Sequence, residues 1–450
     1  SSHSNNTGVG FEALKALTTG DDNVAIGSSA LLNITSGERN VAIGRQAGLS
    51  TTSANRNTAV GYQALYNENA DGDRTVAIGY QALYSQDGDT ETMGNSGFGY
   101  NSGFYNVTGT LNTWVGYQAG TGASGKSNSQ NTGVGYRAGY SITTGGNNTL
   151  LGRQSGLSVS FGSDNTLVGM NAGMTTTSGS RLVAVGLGAM RDGDVTSAAE
   201  GTVAIGYEAL KALTDGTANV AIGYQAMATE DTGDYSTAVG YQSLQNQNYD
   251  GDAGNTMLGY RTGNSLTDGI RNVFIGRSAG SATTGANFSI GIGYGALNAG
   301  LTGDAAGTIA IGYSAGNVLT TAPGNTVIGH QAMQVHTTGG YNTVIGYQAM
   351  DDTDAGASSK NSIHNVFIGY HSGGGTWTNA ESNYNIGVGS YTLDAALEGA
   401  LNNVAIGYAA LSKLKTGDNN VAIGYQAGPN ITSAGENVII GGEAGYDLTG

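Results

Sequence analysis

The stretch NVAIGYQAM at 219–227, which returns as NVAIGYQAG at 420–428, decides the fold. Variants of it fill the chain in 25 copies, each anchored on a glycine, from Gly10, Gly27 and Gly44 to Gly407, Gly424 and Gly441. Fifteen of the 24 steps between anchors are 17 residues long, and the others run from 18 to 23. Self-similarity at one short period means a supersecondary unit stacked on its own neighbours. The expected organisation is therefore one continuous array over 1–450 with no separate capping domain.

With the anchor glycine as position zero, each column has a physical role. Position −1 is apolar in all 25 copies, and position −3 is β-branched in all but one, where it is Ser96. The two lie on one face of a short strand. Position −4 is asparagine in 19 copies, such as Asn23, Asn40 and Asn57, which predicts a hydrogen-bonded amide ladder at the start of the strands. Positions −2 and +4 compensate in volume: Trp114 goes with Gly120, Phe274 with Gly280 and Phe367 with Gly373, whereas Ala25 goes with Leu31. Close packing demands this of two side chains filling one cavity. They are expected on one interior side, with −3 and −1 facing a second apolar region. Two buried faces suit a thin roll packed against others.

The +4 column also has a period of three motifs. The third members read Gly48, Gly103, Gly156, Leu210, Gly263, Gly316, Gly373 and Gly428, and the second members Leu31, Leu83, Gly139, Met190, Leu244, Leu297, Met350 and Leu411. The larger unit is 53 to 57 residues, as from Gly99 to Gly152 and from Gly312 to Gly369. The expected fold is all-β, a parallel β-solenoid of 25 short repeats with three motifs per turn in one chain. The alternative is one coil per motif in a homotrimeric β-roll.

Composition narrows the function. There are 78 glycines and only 2 prolines, a composition of tight turns without polyproline spacers. The net charge of −16 repels nucleic acid and anionic membrane. Without cysteine there are neither disulfides nor thiolate metal sites. No apolar run is long enough to span a bilayer. Ser1 is not an initiator methionine, so a processed chain or a piece of a longer one is expected. A second copy placed after Gly450 would continue the repeat with a step of 19 residues, which predicts head-to-tail stacking into a filament.

The strand motif NVAIG, at 23–27, 40–44, 219–223, 403–407 and 420–424, resembles the head repeats of trimeric autotransporter adhesins and the repetitive segments of some phage tail fibres. The adhesin repeat is shorter and lacks the frequent tyrosine after the glycine. The resemblance covers essentially the whole chain. It implies a left-handed parallel β-roll, built as a homotrimer and used for surface attachment.

Other signals are weak. Gly276-Arg277-Ser278-Ala279-Gly280 and Gly312-Tyr313-Ser314-Ala315-Gly316 match a nucleophile elbow but sit in register with GYQAG, so no catalytic residue is assigned. Gly8-Val9-Gly10 and Gly291-Ile292-Gly293 are repeat columns with no helix to hold a phosphate. The histidines, His3, His330, His336, His364 and His371, are expected on the surface. The acidic turns at Asp71 and Asp73, Asp192 and Asp194, and Asp250 and Asp252 are weak calcium candidates, as are Asp87 and Asp89 and the group Asp351, Asp352 and Asp354. Asp-Gly is also ordinary turn chemistry. No cofactor is expected. Tyrosine fills +1 in 15 copies, including Tyr62, Tyr80, Tyr117, Tyr136, Tyr224 and Tyr425. These are the binding-surface candidates, for glycans or a partner, and the competing reading is a purely structural ladder.

The function expected from the sequence is non-enzymatic: a rigid extracellular or virion-surface fibre acting as scaffold or attachment device, with copies of itself as partners. The alternative is a host- or glycan-binding adhesin or tail-fibre segment. A lyase or hydrolase would need acid and base clusters breaking the repeat, and none is evident.

Overall fold

One copy of the motif closes one coil. The structure is a computed structural model that describes residues 4–69, 72–88, 93–353, 359–378 and 380–449. The three residues before each anchor form a strand, as in Val24–Ile26, Val41–Ile43 and Thr58–Val60. Within each compact unit a strand pairs in parallel with that of the next copy, equal positions opposed: Val24 with Val41, Ala25 with Ala42, Ile26 with Ile43. The chain divides into two compact units, Ser1–Ile222 and Gly223–Gly450. Among the described residues the first holds thirteen such strands, from Thr7–Val9 to Val220–Ile222. The second holds twelve, from Thr237–Val239 to Val438–Ile440.

The protein is thus an all-β parallel β-solenoid, but the three-motif turn is not its geometry. Like does not stack on like at every third motif; consecutive motifs stack directly. The volumes at +4 are set by immediate neighbours instead. A Cβ on Gly48 would lie 2.8 Å from Cδ2 of Leu31, and one on Gly103 would lie 2.5 Å from Cδ2 of Leu83. Leu31 and Leu83 thus lean over the glycine at +4 in the following coil, whereas Leu14 is followed by Leu31 and Leu65 by Leu83. A glycine at +4 makes room for a large side chain beside it, from the preceding coil at Gly48 and Gly103 or from −2 of its own coil at Gly120 and Gly173.

Seventeen residues close a coil because the backbone turns through left-handed conformations at fixed places. Position −5 (Arg39, φ 60°), position +2 (Gln46, φ 60°) and position +4 (Leu31, φ 47°) all adopt them. The anchor glycine goes further, to φ 134° at Gly27, where side chains are strained. A Cβ there would also lie 2.6 Å from the carbonyl oxygen of Gly44 in the next coil. Both reasons recur at each step, so the anchor is always glycine.

The interior is one thin core. Ala25, Ala30, Leu31 and Ile34, at −2, +3, +4 and +7, are all buried. Trp114 is buried at −2 because Gly120 and Gly133 leave room for its ring; a Cβ on either would lie 2.1 or 2.3 Å from it. The asparagine column forms the ladder expected of it. The Asn23 Oδ1 accepts from both the backbone N–H and the side-chain Nδ2 of Asn40, each at 3.0 Å. Asn40 Nδ2 also donates to the Ala54 carbonyl at 2.8 Å. Every buried amide in this step has a partner, the condition for placing it there. Residues beyond 17 go into the loops before the strands, as short helical turns at Ser197–Ala199, Gly303–Ala305 and Ser359–Asn361.

The second apolar region does not exist within the chain. The strand has one inward face, carrying −2, and its −3 and −1 residues point outward. Ile26 and Ile43 are each 39% exposed, whereas Ala25 and Ala42 are fully buried.

The volume rule gives a direct test. Gly120→Ala should destabilise the chain by about 3 kcal/mol through collision with the Trp114 ring. Gly120→Leu combined with Trp114→Ala recreates the pairing of Ala25 with Leu31 and should recover most of that loss. Chemical denaturation of the two variants measures both effects.

Candidate interaction surface

The outer face of the strands is the largest uniform feature. Across both units the −3 and −1 columns contain only Thr, Val, Ile, Leu, Ser and Phe, without a single charge. The −1 residues Ile78, Phe98, Val134, Ile205, Leu258, Ile406 and Ile423 are all exposed. Such rows of β-branched side chains fit a surface that another sheet or chain covers.

Beside it runs the tyrosine column. In the first unit Tyr62, Tyr80, Tyr100, Tyr117 and Tyr136 stack at centroid distances of 5.2, 5.0, 5.0 and 5.6 Å, with planes within 14° of parallel. The ladder ends on two arginines: Arg45 lies 5.9 Å from the Tyr62 ring and Arg153 lies 5.9 Å from the Tyr136 ring. In the second unit Tyr224, Tyr241 and Tyr260 stack at 5.0 and 5.3 Å. Arg277 then sits 5.7 Å from the Tyr260 ring and 5.5 Å from the Tyr294 ring, replacing one tyrosine by a cation–π contact. His330 takes a tyrosine's place between Tyr313 and Tyr347, 4.9 Å from each. Tyr425 stacks on Tyr408 at 5.5 Å. Along the runs from Tyr62 to Tyr136 and from Tyr224 to Tyr260 the ring faces are therefore occupied by neighbouring rings and guanidinium groups. What reaches solvent is the ring edge and the phenol hydroxyl. Next to it, Gln63 donates to Gln46 at 2.9 Å and Gln81 to Gln63 at 2.8 Å, a parallel amide ladder.

The acidic turns are engaged locally. Asp73 accepts from the Asn55 backbone at 2.6 Å. Asp192 is held by Arg191 at 2.6 and 3.0 Å, and this hydrogen bond draws its pKa below the usual range. Asp194 accepts from Thr177 at 2.8 Å, Asp250 from Thr232 at 2.5 Å and Asp252 from Arg271 at 3.0 Å. Asp71, Asp89 and Asp354 lie outside the described residues. Among the described residues no three His, Asp or Glu side chains gather in a metal-binding group, and no pocket opens. The nearest approach is around Gly374, where Asp351, His371 and Asp394 converge; burial raises Asp394 to about 6 against the opposing pull of His371. Ser278 and Ser314 occupy +2, with the same left-handed turn as Gln63.

The sequence reading missed some titratable groups. His336 is not on the surface. It is fully buried at +7, with Nδ1 2.9 Å from Thr353 Oγ1 and Nε2 3.2 Å from the Ser362 carbonyl. Glu68 and Glu230 occupy the same interior column. The signal was available, since +7 carries Ile34, Val159 and Leu213 elsewhere. No family model matches the chain, and no curated protein matches it.

Burial holds the His336 imidazole neutral down to about 4, against an ordinary value of 6.5. The unfolded chain takes up that proton first, so the contribution of His336 to stability is complete above 6.5 and falls as pH drops toward 4. Replacing His336 with leucine, the residue that fills +7 at Leu213 and Leu319, should remove this part of the acid sensitivity. Thermal melts of both proteins between pH 7 and 4 provide the comparison.

Proposed function

We propose that this protein is a structural fibre component: a stiff, non-enzymatic scaffold or attachment device at a cell or virion surface. In this reading copies of the chain pack against one another through the outer strand faces. The observation that carries it is the uncharged, half-exposed −3/−1 stripe. A ladder of twelve strands at about 4.8 Å spacing is roughly 55 Å long. Two such ladders, each about 10 Å wide, offer an apolar area comparable to the roughly 800 Å² per partner of a specific interface. Single exposed apolar residues need no covering, but an uninterrupted row of this length does.

Other features support the reading. A parallel backbone ladder, buried amide columns and stacked rings add nearest-neighbour terms at every coil, which favours stiffness over local opening. The resemblance to adhesin heads points to three copies around a common axis. The adhesin reading is retained for the loops. It has less support on the tyrosines, whose faces are taken by one another, leaving hydroxyl edges for any glycan.

Light scattering after size exclusion tests the proposal. The wild-type particle should have about three times the 45.3 kDa chain mass. Ile43→Lys with Ile78→Lys, at exposed positions, should shift it toward a single chain without loss of circular dichroism. A wild-type chain that runs at 45.3 kDa would refute packing through this face.

A further inference from the structure

The asparagine ladder lapses at six copies, and at two of these lapses the same replacement is built. In the first unit Thr75 stands at −4. Gln86, at +7 of that coil, turns inward: its Nε2 donates to Thr75 Oγ1 at 2.8 Å, and its Oε1 accepts from Asn95 Nδ2 at 3.0 Å. The glutamine thus supplies the acceptor that the missing asparagine would have offered. Its remaining hydrogen goes to Glu68 Oε2 at 2.9 Å, one coil earlier in the same column.

In the second unit Ser236 stands at −4, and the set returns. Gln247 Nε2 donates to Ser236 Oγ at 3.2 Å and to Glu230 Oε2 at 2.6 Å, and Gln247 Oε1 accepts from Asn255 Nδ2 at 2.8 Å. Glu230 Oε1 also accepts from the backbone of Gly233 at 2.6 Å, so it fixes the following turn. Glu68 and Glu230 are both fully buried. Glu and Gln occupy +7 only in these two successive pairs, whereas other copies have Ile34, Val159, Leu213, Leu319 or Leu414 there.

We propose that Glu68 and Glu230 are pH-responsive joints in the two units, closed while the carboxyl is protonated and opened when it ionises. The charged groups acting on them are of the same sign: Asp87 on Glu68 and Asp231 on Glu230. Among the described residues no cation is one of the groups acting on either. An ionised carboxylate in the coil must draw in water, which separates it from its glutamine and frees the Thr75 or Ser236 step of the ladder. Burial is the largest influence on both acids. It lifts Glu68 from 4.5 to about 7 and raises Glu230 in the same direction, with the glutamine and backbone donors opposing it. The folded chain therefore holds this proton more tightly than the unfolded chain. The contribution of Glu68 to stability is complete below 4.5, declines as pH rises, and is lost once pH passes about 7. This is opposite in sign to His336. It does not depend on self-association, because both acids lie inside the coil.

Amide hydrogen exchange on the full chain, corrected for the intrinsic pH dependence, is the test. Between pH 5 and 8, peptides covering Glu68–Gln86 and Glu230–Gln247 should lose protection by about tenfold or more. A peptide covering Leu150–Val168, with Val159 at +7, should not. In the double variant Glu68→Gln, Glu230→Gln the loss should vanish, because a second amide stacks on Gln86 or Gln247 as Gln63 stacks on Gln46. Each single variant leaves the other joint responsive and serves as an internal control. Equal protection at both pH values in the wild-type chain overturns the proposal, whatever the variants do. So does the same loss in the double variant.

Discussion

The constraint on which everything else rests is the near-contact of successive backbones at the anchor glycine. At Gly223, Gly240, Gly312 and Gly329 a Cβ would lie within 2.2 Å of the next glycine's carbonyl oxygen. No side chain fits there, so every coil passes its neighbour at the same distance. That fixes the register. The strand before the glycine must pair with its counterpart, the asparagine must meet the next asparagine, and the ring at +1 must land on the next ring. A single steric condition thus aligns backbone, amide and aromatic columns, and none of these could form if the coils slipped by one residue.

The interior follows from how little room the coil encloses. It holds alanine at −2 and +3 and one larger group shared between −2, +4 and the coil above. Trp114 takes the space of several small residues at once, and Gly103, Gly120, Gly133 and Gly139 all surround it. Leucine at +4 accepts a left-handed backbone in exchange for filling the core, as Leu65 and Leu83 do at φ 52° and 49°. Where +7 becomes strongly polar, His336 is satisfied by its neighbours and Glu68 relies on a neutral carboxyl.

Much of this was legible in the sequence. The strand before each glycine, the asparagine ladder and the compensation between −2 and +4 all appear where the residue types place them. Two misreadings have physical causes. The recurrence of glycine at Gly48, Gly103 and Gly156 looked like third-neighbour stacking, but each makes room for a side chain close by: Leu31 and Leu83 of the preceding coil for the first two, Leu150 of its own coil for Gly156. The β-branched pair at −3 and −1 looked like a second core because apolar residues are read as buried. The frequent threonine at −3, as in Thr113, Thr132, Thr149 and Thr166, was the available sign of a half-exposed face. Glu68 and Glu230 escaped notice because a carboxylate is read as surface by default, and only the column they occupy says otherwise.

The identity of one coil's contacts with the next has a consequence for heredity. Each coil touches only the coils beside it, through surfaces that scarcely differ from copy to copy. Recombination between misaligned repeats would then delete or add a whole layer and leave both cut faces matched. Within either unit, reach would change in steps of about 4.8 Å while the residues lining the stripe stay in line. Length is then a quantity that mutation can adjust almost independently of foldability. The odd coils, carrying a tryptophan, an arginine in the tyrosine column or a buried acid, become landmarks that record where such an exchange has passed.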